Sequence, residues 1–71
     1  NPAHDEMLVR YNAGANAEIG LYNVLGARMM SVPANGMGDA SLNVGTLPAG
    51  MYMLSLRSGT AIKTEPVMVV R

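Results

Sequence analysis

The chain contains no cysteine, no phenylalanine and no tryptophan, and it has a single histidine. Without cysteine there is neither a disulfide staple nor a thiolate metal ligand, an absence that fits any compartment. With three tyrosines as its whole aromatic complement, the chain has no platform for stacking bases or sugar rings. Charge is also scarce: five basic and five acidic residues, 14% of the chain, sum to a formal net charge of zero. Such a surface gives no electrostatic drive toward nucleic acid or an anionic membrane, and little repulsion between copies. No apolar run approaches the ~18 residues that a transmembrane helix needs. No charged segment leads into an apolar one as in a signal peptide. The chain opens on Asn1 rather than Met and reads as a fragment or processed product of a longer protein. No window shows helical periodicity.

What remains is a β pattern. Seventy-one residues make one domain, 1–71, and a chain this short buries only about 60% of its unfolded surface. Met7, Val9 and Tyr11 alternate with Leu8 and Arg10, Ile19 and Leu21 with Gly20 and Tyr22, Leu42 and Val44 with Asn43, and Tyr52, Leu54 and Leu56 with Met53 and Ser55. This period of two marks strands with one face in a core. Turn residues recur between them, at 12–14, 23–26, 33–38, 45–50 and Ser58-Gly59. Six strands are predicted, over 6–11, 17–23, 27–33, 40–44, 51–57 and 60–70, with a seventh if the last splits at Pro66. Proline cannot donate to a ladder. Short strands with frequent turns indicate an all-β sandwich or barrel. Asn35-Gly36-Met37-Gly38 is the expected flexible loop. The seven methionines are expected to fill core or edge volume left by the missing aromatics. A methionine-rich partner surface or soft-metal site is the alternative, but Met29-Met30 and Met51-x-Met53 lack Met-x-x-Met spacing.

No catalytic pattern emerges. His4 precedes the first strand and has no nucleophile beside it. Asp5, Glu6, Glu18, Asp39 and Glu65 are dispersed, without the spacing of a calcium loop. The serines lack a nucleophile elbow, the glycines do not form a phosphate loop, and the basic residues are scattered. So short a chain leaves no room for a substrate cleft beside its core. The expectation is a non-enzyme with no cofactor, no metal, no nucleic acid and no small-molecule substrate. Tyr11, Tyr22 and Tyr52 are expected at the core edge with wet hydroxyls.

Four motifs, in order, carry a resemblance: Asn1-Pro2-Ala3 before Met7-x-Val9; Ile19-x-Leu21-Tyr22-Asn23-x-x-Gly26; Leu42-x-Val44 with Leu47-Pro48-Ala49-Gly50-Met51-Tyr52; and Lys63-Thr64 with Val67-Met68-Val69-Val70-Arg71. Together they resemble the C-terminal sorting domain, type A, of type IX secretion cargo proteins of gingipain type. The pattern departs where Met51, Met53 and Met68 replace the usual Ile or Val, and where Arg28 and Arg71 replace Lys. The resemblance implies an immunoglobulin-like antiparallel β-sandwich of six to seven strands that acts as a non-catalytic secretion signal. It implies passage through the periplasm, recognition by the outer-membrane translocon, and removal by a sortase-like peptidase as the cargo reaches the cell surface or exterior. The final strand, with Val67, Met68, Val69, Val70 and Arg71, is the expected recognition element, by β-addition. Asn1, Pro2, Tyr22, Asn23, Gly26, Leu47, Pro48, Gly50 and Tyr52 are the family-motif positions, with Gly26 and Gly50 expected at positive φ. The competing reading is an accessory immunoglobulin-like sandwich, a spacer or adhesion module of an extracellular protein. Open edges and zero net charge also fit a homodimer by edge pairing or strand exchange.

Overall fold

The computed structural model describes residues 2–3, 5–14 and 16–70. Asn1, His4 and Arg71 lie outside the described residues. Seven strands form: β1 (Pro2–Ala3), β2 (Glu6–Asn12), β3 (Ala17–Tyr22), β4 (Arg28–Ala34), β5 (Met37–Asn43), β6 (Gly50–Ser58) and β7 (Ala61–Val69). No helix occurs among the described residues. Five strands make one sheet in the order β1-β7-β6-β3-β4, and β2 and β5 make the other. The six long strands pair antiparallel, as in a small immunoglobulin-like β-sandwich. The short β1, which the alternation did not predict, runs parallel to β7 at Met68 and Val69.

The period-two pattern decides which side chains meet. Ile19 and Leu21 are fully buried from the large sheet, and Leu42 and Met7 reach them from the small one. Val44 and Leu47, on the connection between β5 and β6, close the same cluster with Tyr52, Leu54, Val67 and Val69. Burying each such aliphatic side chain contributes about 1.5–3 kcal/mol. Gly20 stands mid-strand, where glycine is ordinarily unfavourable, because the Tyr22 ring lies back over it. A Cβ there would meet that ring at 2.8 Å.

Three expectations are corrected. β7 does not split at Pro66 but continues through it, opposite Met53. Among the described residues no strand adjoins the other side of β7 at that point, so the missing N–H breaks no ladder. The 35–38 loop is shorter than expected, because Met37 and Gly38 already pair in β5 with Asn12 and Tyr11. Its two remaining residues are tied across to the neighbouring crossover: Ala13 N–H donates to the Gly36 carbonyl at 2.7 Å and Asn16 N–H to Asn35 Oδ1 at 2.9 Å. The methionines, finally, fill little of the core, and Met30 packs against it from the edge strand β4. Met7 alone is buried, whereas Met29, Met37, Met51 and Met68 are exposed. Apart from Met7, the core volume is filled by Ile, Leu, Val, Ala and one Tyr.

Candidate recognition surface

The motif residues converge on one end of the sandwich. Gly50 pairs with Val69, Met51 with Met68, Tyr52 with Val67, and Met53 with Pro66 on one side and Tyr22 on the other. Pro2 pairs with Met68 on the outer side of β7. The turns at 23–27 and 47–49 therefore flank the C-terminal end of β7.

Each motif has a local cause. Asn23 builds the turn after β3: its Oδ1 accepts from the N–H groups of both Leu25 and Ala27 at 2.9 Å. Its carbonyl accepts from Gly26 N–H at 3.0 Å, with Gly26 at φ 88°. Asn is suited to this because its side chain mimics a backbone acceptor. In the second motif Leu47 drops into the core, and Pro48 and Ala49 stay outside. Gly50 takes φ 152°, a conformation that L side chains rarely adopt, and this turns the chain into β6. Tyr52 is buried rather than wet, and its hydroxyl donates to the Pro48 carbonyl at 2.7 Å. A buried hydroxyl needs such a partner, and reaching back a few residues resembles the tyrosine corner of immunoglobulin-type sandwiches.

The final strand divides its labour by face. Val67 and Val69 point into the core, and Met68 points out, 43% exposed. Val70 is half-buried. Across from Met68 stands Met51, 45% exposed, followed on the same face by Met53 and Tyr22. This apolar strip had a signal in the sequence: Met51, Met53 and Met68 alternate out of phase with Tyr52, Leu54, Val67 and Val69. Val24 and Leu25, at the tip of the Asn23 turn, are also exposed, and no period marks them.

Toward the opposite end, an open cleft of roughly 460 Å³ lies between β2 and the β6–β7 hairpin, with Val9, Ile19, Leu54 and Leu56 among its walls and Lys63 and Glu65 beside them. Among the described residues no group of three His, Cys, Asp or Glu gathers to hold a metal ion. Arg10 pairs with Asp39 and Arg57 with Glu18, both at the surface.

A family model described as the secretion system C-terminal sorting domain matches residues 1–70. The chain belongs to this family. No curated protein and no solved structure matches it. Domains of this family act as C-terminal sorting signals of type IX secretion and are in general non-catalytic. Membership of a sorting-domain family implies a secreted or cell-surface cargo and an interaction with the secretion machinery.

Proposed function

We propose that this sorting domain is of type A, carries its gingipain-type cargo folded through the periplasm to the outer-membrane translocon, and is then cut away by a sortase-like peptidase during surface attachment. The family match over 1–70 is the observation that carries the sorting role. Recognition falls on the terminal strand. Val67 and Val69 anchor it in the core, and Met68 presents its outer face beside Met51. Methionine suits such a surface because its unbranched thioether adapts to a partner's shape. The motif residues Tyr22, Asn23, Gly26, Leu47, Pro48, Gly50 and Tyr52 act indirectly, by fixing the turns around that strand.

The test is export of a periplasmic reporter carrying the domain at its C-terminus, in a host with a type IX system. Truncation before β7 ends is uninformative, since it removes Val67 and Val69 from the core. M51E/M68E instead changes only the exposed face and leaves the core intact. Loss of surface reporter, with the variant domain folded, is expected. Undiminished export of M51E/M68E would sink the role given to the Met51–Met68 face, and periplasmic retention of the wild-type fusion would sink the sorting role itself.

A further inference from the structure

The small sheet leaves part of the large one bare. β5 lies against β4, and β2 has no strand on its other side among the described residues. The open cleft of roughly 460 Å³ begins at that edge. Residues 9–12 of β2 line it from the small sheet, and Leu54, Leu56, Lys63 and Glu65 from the large one.

The backbone parity of β2 is fixed at both of its ends. Val44 N–H donates to the Asp5 carbonyl at 2.8 Å, and Ala13 N–H to the Gly36 carbonyl at 2.7 Å. Each contact continues the β2–β5 register by one residue. Hydrogen-bonded pairs alternate between them, so Met7, Val9 and Tyr11 bond to β5. Glu6, Leu8, Arg10 and Asn12 therefore direct their N–H and carbonyl groups to the open side. No proline stands in β2, so each of these donors is present. Nor do charged side chains block the edge. Arg10 leans across to Asp39 on β5, and Glu6 accepts from the Ser41 hydroxyl there.

Lys63 and Glu65 face this cleft, and neither forms an ion pair among the described residues. A purely apolar cover would bury two unpaired charges. A fitting cover brings a carboxylate to Lys63 and a cation to Glu65, with the aliphatic stems laid on Leu54 and Leu56. Direction sets the order of the two. Asn12, at the end of β2, lines a smaller hollow with Lys63 and with Ala61, at the start of β7. A strand antiparallel to β2 therefore passes Lys63 before Glu65.

We propose that β2 takes up an extended segment of a partner protein as a third, antiparallel strand of the small sheet, with an acidic residue opposite Tyr11 and a basic one opposite Val9. These are non-hydrogen-bonded positions on the inward face, while Leu8 and Arg10 supply the ladder. The segment is free of proline and reads acid-x-base from its N-terminal side. This chain contains no such triplet, so a second copy does not supply it. The inference does not depend on the sorting role, and it uses a different surface from the Met51–Met68 face.

Fluorescence anisotropy tests it, with the chain titrated into the fluorescein-labelled peptide Ser-Val-Thr-Glu-Thr-Lys-Thr-Val-Ser. The control is the same peptide with Glu and Lys exchanged. Saturable binding of the first is expected, at least tenfold tighter than the second. K63E/E65K inverts the preference, because both contacts are again between opposite charges. L8P removes one open-side N–H that β5 does not use, and is expected to weaken binding at least tenfold. Circular dichroism verifies that each variant is folded. Should L8P unfold, the charge exchange on exposed residues decides alone. No saturable binding, equal affinity for the two peptides, a preference unmoved by K63E/E65K, or full binding by folded L8P overturns the proposal.

Discussion

The two halves of β7 share a strand, a partner and a pairing register, yet they behave differently. From Ala61 to Pro66 every residue is exposed, Ile62 among them at 61%. From Val67 to Val69 burial alternates, and Val69 is almost fully enclosed. Ile62 is as apolar as Val69, so hydrophobicity does not separate them. Cover does. Val67 and Val69 join a cluster closed by Met7, Val44 and Leu47, whereas the first half of β7 borders an open cleft. Lys63 and Glu65 stand on the same face as Val67 and Val69, so the inward face changes from charged to apolar where cover begins. One end of the strand holds the fold together. The other is left uncovered.

The sharpest way to break this contrast is to place the same charge in each half. Val69→Asp buries an unpaired carboxylate in the cluster, a loss of about 4 kcal/mol. For so small a domain that is a large share of its stability, about 0.05–0.15 kcal/mol per residue. The expected result is loss of the folded far-ultraviolet spectrum. Ile62→Asp is expected to change stability by no more than about 0.5 kcal/mol. Equal effects of the two substitutions would mean that the first half is covered after all.

Two smaller changes probe the motif-bearing end. Gly50→Ala meets no atom within 4 Å, so its penalty comes from the backbone at φ 152° alone. About 2 kcal/mol is expected, read as a lower urea midpoint with an unchanged slope. Tyr52→Phe keeps the buried ring but removes the hydrogen bond to the Pro48 carbonyl, with a loss of about 1 kcal/mol. Since Gly50 and Tyr52 face Val69 and Val67, both changes loosen the packed half and leave the free half as it was.

Most of this architecture was legible in the residues. Alternation placed six strands within a few residues of their observed bounds, and it put Ile19, Leu21, Leu42, Val44, Tyr52 and Leu54 inward. What it missed depends on contacts between distant segments. The pairing of β1 with Met68 and Val69 leaves no period in a two-residue strand. The Tyr52 hydroxyl seemed wet because nothing local shows that Pro48 folds back over it. Composition assigns the methionines to core or edge volume, although the phase of Met51, Met53 and Met68 already sets those three outward. The open edge of β2 was invisible, because which strands lie side by side is not written in any one strand.

The smallest effect expected is on the ion pair that lies beside the exposed half. Arg57 lies opposite both Glu18 and Ile62, and its Nη2 donates to Glu18 Oε1 at 2.7 Å. The Arg57 side chain is 56% exposed and that of Glu18 33%, so water and salt screen the pair. Arg57→Ala is expected to lose about 0.5 kcal/mol at low salt. In molar salt, where the Debye length falls to ~3 Å, that difference is expected to shrink toward zero. A loss that stays large and indifferent to salt would show that the guanidinium stem packs where the surface is bare. The free half of β7 would then owe its position to that packing rather than to pairing with β6 alone.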